Sequence, residues 1–491
     1  MGVGGFPIPT RSPEAQAWFN YGMVLLHAFY HGDAKLAFDK AVAADPDCAM
    51  CKLGQAISRG PTQNFDLEPD ELKAALDLAR TAQAAARTPA EKIIGEALVT
   101  RYQAKADAKA EVEFAAALQR AAALEPTYVD LPLIAAGALL TACRRGEMGE
   151  AKAAVALLEP ILRREPDNTA AIHYYIHATE FAGRPEDALP YAKRLAGLAP
   201  KASHLIHMAA HTFLPVGLYE DAAAVNAAAL EVDTEHAKAT GLAGPLGKPD
   251  YYPHNLTFGM AGALMAGDGA LALKFADHTP LAFPPGARPN VGYLFGRSYV
   301  AYGRFAPARF SSLPRPPADD MYRSVMWRYG RGEAFAARGD AAAVRAEREA
   351  MVAGMGEAPK TYTTTSGPLE IGRRVLDGRA AMLEGRPKDA ARIFADAAAF
   401  QEGFSWGRDP PPFWYPVRRS EAAALLKAGD AEAAAKAARA SLAKWPQDGL
   451  ALWVLSQAER RLGDAKQADA DMKEAKAAWR GDLARMKLDL I

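Results

Sequence analysis

The chain has 491 residues, more than one ordinary hydrophobic core can organise, so its length predicts either several domains or a repeat architecture. Its 58 lysine and arginine residues balance 58 aspartate and glutamate residues, and the zero net charge argues against nucleic acid or an anionic membrane as a partner. No apolar run is long enough to span a bilayer. Abundant alanine at helical spacing and the scarcity of strand-type alternation predict an all-α fold.

The N-terminus and the cysteines bear on the cellular compartment. Residues 1–7 lack the charged and apolar segments of a signal peptide, which predicts a cytoplasmic protein. Removal of an export signal would leave the same glycine-rich start, so a periplasmic or secreted location is the alternative. Cys48, Cys51 and Cys143 are too few for a disulfide framework. We interpret Cys48 and Cys51 as buried thiols within a helical repeat rather than as a redox or metal motif.

Helix–turn–helix units of about 34 residues recur along the chain, each closed by a proline after its second helix. Later units close at Pro126, Pro166, Pro200 and Pro446. With the degenerate units included, the sequence predicts about twelve helix pairs. In the first unit, which ends at Pro46, the positions where the helices of such a unit touch are occupied by Trp18, Gly22, Ala34, Phe38 and Ala41.

Two interruptions divide the repeats. Residues 240–247 are inserted between two units, and loops inserted into repeat arrays often lie on the binding face. Prolines are dense between residues 280 and 320, where the repeat pattern becomes degenerate. We therefore predict four segments: an N-terminal extension (1–14), a first repeat array (15–280), a proline-rich connection (281–320) and a second repeat array (321–491).

Five of the ten histidines lie within Thr169–Leu218, and their spacing is regular. His173 and His177 are four residues apart, as are His207 and His211, so each pair shares one face of a helix. The second pair follows the first after 34 residues, the length of one repeat unit. We therefore predict that neighbouring helices present matched histidine pairs, which could close around a metal ion as its ligands.

Three further groups would complete this site. Glu180 lies on the same helix face as His177 and would serve as a ligand or a base, while His204 and His254 would complete the shell or transfer protons. Imidazoles with one carboxylate favour a divalent transition metal, namely Zn, Cu or Fe. The alternative is that each histidine is an ordinary packed or hydrogen-bonded core residue.

Other aromatic and polar residues would lie in the groove or behind the ligands. Tyr174, Tyr252 and Asn255 would line the pocket or orient the ligands, and packing between repeats is their alternative role. His31 forms another four-residue pair with His27, and only closure of the repeat array would bring this pair to the cluster.

An aromatic and proline-rich loop spans residues 404–415. We predict that its Trp406 and Arg408 form a ligand platform at the rim of the groove. The alternative is that the loop only stiffens an irregular connection between helices.

Three histidine blocks carry a resemblance to known proteins. They read HxxxHxxE from His173, HxxHxxxH from His204 and YPHN from Tyr252. The chain resembles the tetratricopeptide repeat (TPR) superfamily over most of its length, and the blocks resemble those of a bacterial group within it. The resemblance implies a right-handed superhelix of stacked helix pairs with a concave groove, in a group whose members commonly look exported. It implies no particular reaction.

Two functions fit these observations. The first is a metal-dependent enzyme, a hydrolase or an oxidoreductase, that acts on a small molecule or peptide held in the groove beside the histidines. The second is a non-catalytic scaffold that binds a partner protein or peptide, the common role of this architecture. The sequence contains no phosphate-binding loop, serine-nucleophile motif or HExxH zinc motif.

Overall fold

The computed structural model describes residues 2–239, 251–282, 292–317, 319–357, 359, 361–404 and 409–491. These residues form 23 α-helices and several short 3-10 turns, without a strand, which confirms the all-α class and the predicted number of helix pairs. The insertion at 240–247 and the residues Trp406 and Arg408 lie outside the described residues. The chain divides into two compact units, Met1–Thr212 and Phe213–Ile491, and each is considered separately. The segment boundaries expected from the sequence stay a prediction.

Unit 1 is a helical repeat. Consecutive helices from the first to the tenth pack against each other, and alternate helices also touch, which is the nearest-neighbour packing of repeat proteins. The helices of unit 1, the last of which ends one residue beyond it, are α1 (Pro13–His27), α2 (His31–Ala44), α3 (Ala49–Ser58), α4 (Pro69–Ala85), α5 (Pro89–Gln103), α6 (Ala108–Leu124), α7 (Leu131–Arg144), α8 (Glu150–Arg164), α9 (Thr169–Phe181), α10 (Leu189–Leu198) and α11 (Ser203–Phe213).

Glycine residues leave the space that the helix packing predicted for the first unit requires. A Cβ atom on Gly22 would lie 2.9 Å from the ring of Phe38, and one on Gly54 would lie 2.5 Å from it. The Phe38 ring therefore fills the space that two missing side chains leave between α1, α2 and α3. The first helix begins at a side-chain cap, since Ser12 accepts a hydrogen bond from the Ala15 amide and proline follows it.

Unit 1 departs from nearest-neighbour packing at its N-terminus. Helix α1 contacts α9, and the amide of Val3 donates to the hydroxyl of Thr169 at 3.0 Å. The hydroxyl of Tyr30 lies 3.1 Å from that of Ser203, at the start of α11. The first repeat thus closes onto the helices that carry the histidine cluster, the closure that the sequence required to bring His27 and His31 there.

Unit 2 repeats the same packing, with every described helix touching the next one in the chain. No described helix is long and apolar enough to cross a membrane. The helices of unit 2 are α12 (Tyr219–Ala239), α13 (Tyr252–Ala266), α14 (Gly269–His278), α15 (Gly292–Phe305), α16 (Met321–Ala337), α17 (Ala341–Met355), α18 (Ser366–Leu383), α19 (Pro387–Glu402), α20 (Arg418–Lys427), α21 (Ala431–Leu442), α22 (Gly449–Leu462) and α23 (Ala465–Ala478).

The described end of the aromatic loop belongs to the core of unit 2. Phe413, Trp414 and Tyr415 are buried, and the indole of Trp414 donates to the hydroxyl of Tyr329 at 3.0 Å. These three aromatic residues therefore pack against helices as part of the core and do not form an exposed platform.

Cys48 and Cys51 form a disulfide, so their interpretation as buried thiols was wrong. The reason is local geometry: Cys48 caps the N-terminus of α3 in an extended conformation, and the first turn brings Cys51 back to a Cα–Cα separation of 5.3 Å. This separation lies within the range that a disulfide requires. Cys143 is buried and lies outside this disulfide.

The disulfide predicts a labelling pattern for protein produced under oxidising conditions. Alkylation of the denatured chain without reductant should label Cys143 alone, and prior reduction should allow Cys48 and Cys51 to be labelled as well. Intact-protein mass spectrometry measures the number of labels. Full labelling without reductant would show that the two residues are thiols after all.

Candidate metal centre

Two helices of unit 1 supply the histidine cluster. Asn168 caps the N-terminus of helix α9, where its side chain accepts a hydrogen bond from the Ala171 amide at 3.0 Å, and the helix is buried along most of its length. Its face presents His173, His177 and Glu180, while α11 carries the other three histidines, His204, His207 and His211.

A triad forms from His173, His177 and His204. One ring nitrogen from each lies within 4.8 Å of the other two, and all three side chains are buried. The Nε2 atoms of His173 and His204 are 3.3 Å apart. Two imidazole nitrogens bound tetrahedrally to zinc at the usual bond length are also separated by about 3.3 Å. The triad therefore has the spacing of a metal-ligand set.

A backbone hydrogen bond fixes the protonation of His173. Its Nδ1 lies 2.6 Å from the carbonyl oxygen of His27. Because a carbonyl oxygen only accepts, Nδ1 must carry the proton, which leaves the lone pair on Nε2. Metal-binding histidines are commonly oriented by this kind of bond. The Nε2 atom that faces His204 is thus in the form that coordinates a cation.

Burial also keeps His173 neutral. Its pKa is lowered to about 3, first by burial, which outweighs the opposite effect of the His27 carbonyl, and then by neighbouring histidines, including His211 and His31. The imidazole therefore stays unprotonated at neutral pH, and no proton has to leave before it can act as a ligand.

Glu180 organises the second half of the cluster. The Nδ1 atom of His211 lies 3.1 Å from both carboxylate oxygens, and its Nε2 faces the Nε2 of His207 at 3.1 Å. This is a carboxylate–histidine arrangement, in which the acid orients the ring and the far nitrogen binds the metal. A second arrangement uses Glu180 itself as a ligand, since His177, Glu180 and His211 also form a triad within 4.8 Å.

Phe29 covers the first triad, and the sequence did not single it out as a site residue. Its ring lies 4.3 Å from that of His173 and is nearly parallel to that of His204, 5.3 Å away. Phe29 forms the turn between α1 and α2 with φ of 61°, a left-handed conformation that is uncommon for a bulky residue. Such backbone strain is concentrated at functional sites. The available signal was the position of Phe29 between His27 and His31.

His27 and Tyr174 support the ligands and do not join them. The Nδ1 atom of His27 lies 3.3 Å from the hydroxyl of Tyr174, and its Nε2 lies 3.4 Å from the carboxylate of Asp130. Burial raises the pKa of Tyr174, so its hydroxyl keeps its proton. The chain of contacts from Asp130 through His27 ends at the carbonyl that binds His173.

His31 lies apart from both triads. Its ring is 5.0 Å from that of Phe29, and neither of its enclosed nitrogens has a hydrogen-bond partner among the described residues. Its pKa is lowered to about 4, first by burial and second by Lys35 on the same helix. Arg101 and His31 line one cavity, and the charge of Arg101 is matched by Glu111 at 2.8 Å.

The remaining predicted residues belong to unit 2. The hydroxyl of Tyr252 lies 3.0 Å from Nδ1 of His278, and the amide of Asn255 donates to Asp233 at 3.3 Å. His254 packs against Phe258, with ring centroids 4.8 Å apart. The parts that Tyr252, His254 and Asn255 would play in the histidine site stay predictions.

Comparison with known proteins assigns no family. No protein-family model matches the sequence, and no curated protein matches it. Solved structures with a similar fold include the human IFIT1 dimer with m7Gppp-AAAA, at 11% identity and a TM-score of 0.35, covering 87% of this chain and 90% of that one. The APC/C hetero-tetramer Cut9–Hcn1 is 12% identical with a TM-score of 0.32, and the match covers 92% of this chain and 78% of that one. The P58(IPK) TPR domain is 14% identical with a TM-score of 0.22, and the match covers 74% of this chain and 95% of that one. The helical-repeat architecture therefore rests on the packing within this chain.

The lowered pKa of His31 predicts a pH-dependent stability. Below pH 6.5 the unfolded chain takes up a proton at His31 that the folded protein accepts only near pH 4. As the pH is lowered from 6.5 to 4, the contribution of His31 to the free energy of unfolding should therefore decrease by up to about 1.4 kcal/mol per pH unit, and above pH 6.5 this contribution should be constant.

Urea denaturation at a series of pH values tests this expectation. The His31→Gln variant should lose the contribution of His31 to the slope, so its free energy of unfolding should decrease less between pH 6.5 and pH 4 than that of the wild type. Equal slopes for the wild type and His31→Gln would show that His31 does not change its pKa on folding.

Proposed function

We propose that this chain is a metal-binding helical-repeat protein in which His173, His177 and His204 of unit 1 hold a divalent transition metal. The observation that carries the proposal is the pair of Nε2 atoms from His173 and His204, 3.3 Å apart, with the lone pair of His173 directed between them. Two lone pairs repel at this distance, so a proton or a cation must lie between the two nitrogens.

A cation accounts for more of the geometry than a proton does. A proton would satisfy one pair of nitrogens, whereas a metal would satisfy His173, His204 and the nearby His177 together. Three imidazoles suit zinc, copper or iron. Glu180, 3.7 Å from His177, supplies negative charge next to the site and offsets part of the cost of a buried cation.

The ligand set favours a catalytic metal over a purely structural one. Three protein ligands leave a coordination position open, as in catalytic zinc sites, and structural zinc sites are closed by four. A metal held in this way acts as a Lewis acid on water or on a carbonyl group. Glu180 is the most exposed member of the cluster and is positioned to accept a proton from the solvent side. We therefore extend the proposal to a metal-dependent enzyme, a hydrolase in the case of zinc, that acts on a small molecule or peptide.

Metal content tests the ligand assignment. Protein purified without a nickel column should contain about one metal ion per chain. The His177→Ala variant should lose it, because His177 belongs to both triads, and the matched His236→Ala control should retain it. Elemental analysis of the folded fraction after gel filtration gives both the amount and the identity of the metal.

The milder variant His204→Gln distinguishes loss of the metal from misfolding. It keeps the size and polarity of the side chain but lacks the imidazole, so it should also lose the metal. Wild-type protein without metal, and with the same thermal stability in the presence and absence of a chelator, would overturn the proposal. The chain would then be best described as a non-catalytic scaffold that binds a protein or peptide.

The role of Glu180 predicts a separate effect on affinity. The Glu180→Gln variant keeps all histidines but loses the charge that orients His211 and balances the cation. Its affinity for the metal should fall by about 10-fold to 100-fold, with the stoichiometry unchanged. Competition with a metal-binding dye measures the affinity. A change in stoichiometry would instead identify Glu180 as a direct ligand.

A further inference from the structure

A cavity within unit 1 is lined in part by Phe29, the residue that also contacts His173 and His204. Water-sized spheres can occupy about 60 Å³ of it, and the whole cleft with its opening to solvent measures about 480 Å³. The walls are mainly apolar and include Leu26, Ile57, Phe114 and Ile134. Ligand sites of proteins have this character, an apolar concavity with a few polar groups that fix orientation.

Gln63 is a buried polar residue in the wall of this cavity. Its side chain lines the cavity and is 6% exposed, and neither its amide oxygen nor its amide nitrogen has a hydrogen-bond partner among the described residues. An amide buried in this way costs free energy unless a partner satisfies it. Native proteins rarely retain such groups. The group therefore indicates a missing partner inside the cavity.

Hydrogen bonds hold the backbone around Gln63 in place. The amide of Thr62 donates to the carbonyl of Phe65 at 2.9 Å, and Arg101 donates to the carbonyl of Pro61 at 3.0 Å. These bonds fix the segment on both sides of Gln63. The backbone that carries the amide therefore needs little reordering when a ligand pairs with the side chain.

The cavity presents no unbalanced charge. Arg101 is paired with Glu111 through two hydrogen bonds, at 3.0 and 2.8 Å. His31, the other polar group with unpaired nitrogens, is neutral because burial lowers its pKa to about 4. An ionic ligand would be desolvated here without a counter-charge, so the cavity selects against ions.

We propose that this cavity binds a small uncharged molecule with an apolar ring and an amide edge, such as an aromatic carboxamide or a lactam. The Gln63 side chain offers an acceptor next to a donor, and the matching edge of a ligand is a donor next to an acceptor. The apolar ring would occupy the space between Leu26, Ile57 and Phe114. This proposal goes beyond the metal site and does not depend on it.

Benzamide is the probe, and titration calorimetry on the full chain, stripped of metal with a chelator, is the measurement. Benzamide should bind saturably at one site, with a dissociation constant on the order of 1 mM or lower for a ligand of this size. Benzoate has the same shape with a charge, and toluene lacks the polar edge. Both should bind at least about tenfold more weakly than benzamide.

Two substitutions connect the binding to the cavity. Gln63→Leu should weaken benzamide binding at least about tenfold, because it removes both hydrogen bonds, and the exposed Gln103→Leu control should bind like the wild type. Ala138→Leu places a larger side chain in the cavity wall and should abolish binding, with the helical circular dichroism spectrum retained.

Three results would overturn the proposal. The first is the absence of benzamide binding to the folded wild type, which would mean that the cavity holds only solvent. The second is equal affinity for benzamide in the wild type and Gln63→Leu. The third is equal affinity for benzamide and toluene, since the cavity would then be an unspecific apolar one. Each result can be obtained with metal-free protein, so the outcome is independent of the metal proposal.

Discussion

The hydrogen bond from Nδ1 of His173 to the carbonyl of His27, 2.6 Å long, is the interaction on which the site depends. It connects the first repeat to the ninth helix and fixes which nitrogen of His173 has a lone pair. The carbonyl is available because α1 ends at His27 and its last carbonyls have no partner within the helix. The left-handed conformation of Phe29, at φ 61°, costs about 1 kcal/mol or more, and the surrounding contacts of the turn must maintain it.

Periodic features of the fold could be predicted because they depend on residues close in sequence. The residue pattern of one repeat predicts that Gly22 packs against Phe38, and the structure contains this contact. The closure of unit 1 could not be predicted, because it depends on contacts such as that of Val3 with Thr169, between residues 166 positions apart. The disulfide was missed for another reason: Cys48 lies just before its helix, and only the geometry of the cap turns it toward Cys51.

The histidine spacing predicted which helices lie side by side but not which histidines contact each other. The register of 34 residues places His177 beside His211, with ring centroids 5.1 Å apart. Another contact between the two helices follows a different rule: Nε2 of His173 meets Nε2 of His204, which precedes the second matched pair by one helical turn. Side chains on a helix point back toward its N-terminus, so a facing residue can meet the earlier turn of the neighbouring helix. Repeat spacing alone does not contain this offset.

Phe29 contacts both the histidine triad and the cavity, and this has a thermodynamic consequence. One part of its environment is the histidine triad, 4.3 Å away at His173, and another is the cavity that Gln63 lines. Both sites therefore share one wall, and that wall is a residue in an uncommon backbone conformation. Any ligand that favours one position of Phe29 would change the free energy of binding at the other site. By linkage, a metal ion bound at the triad would then change the affinity for that ligand by the same factor.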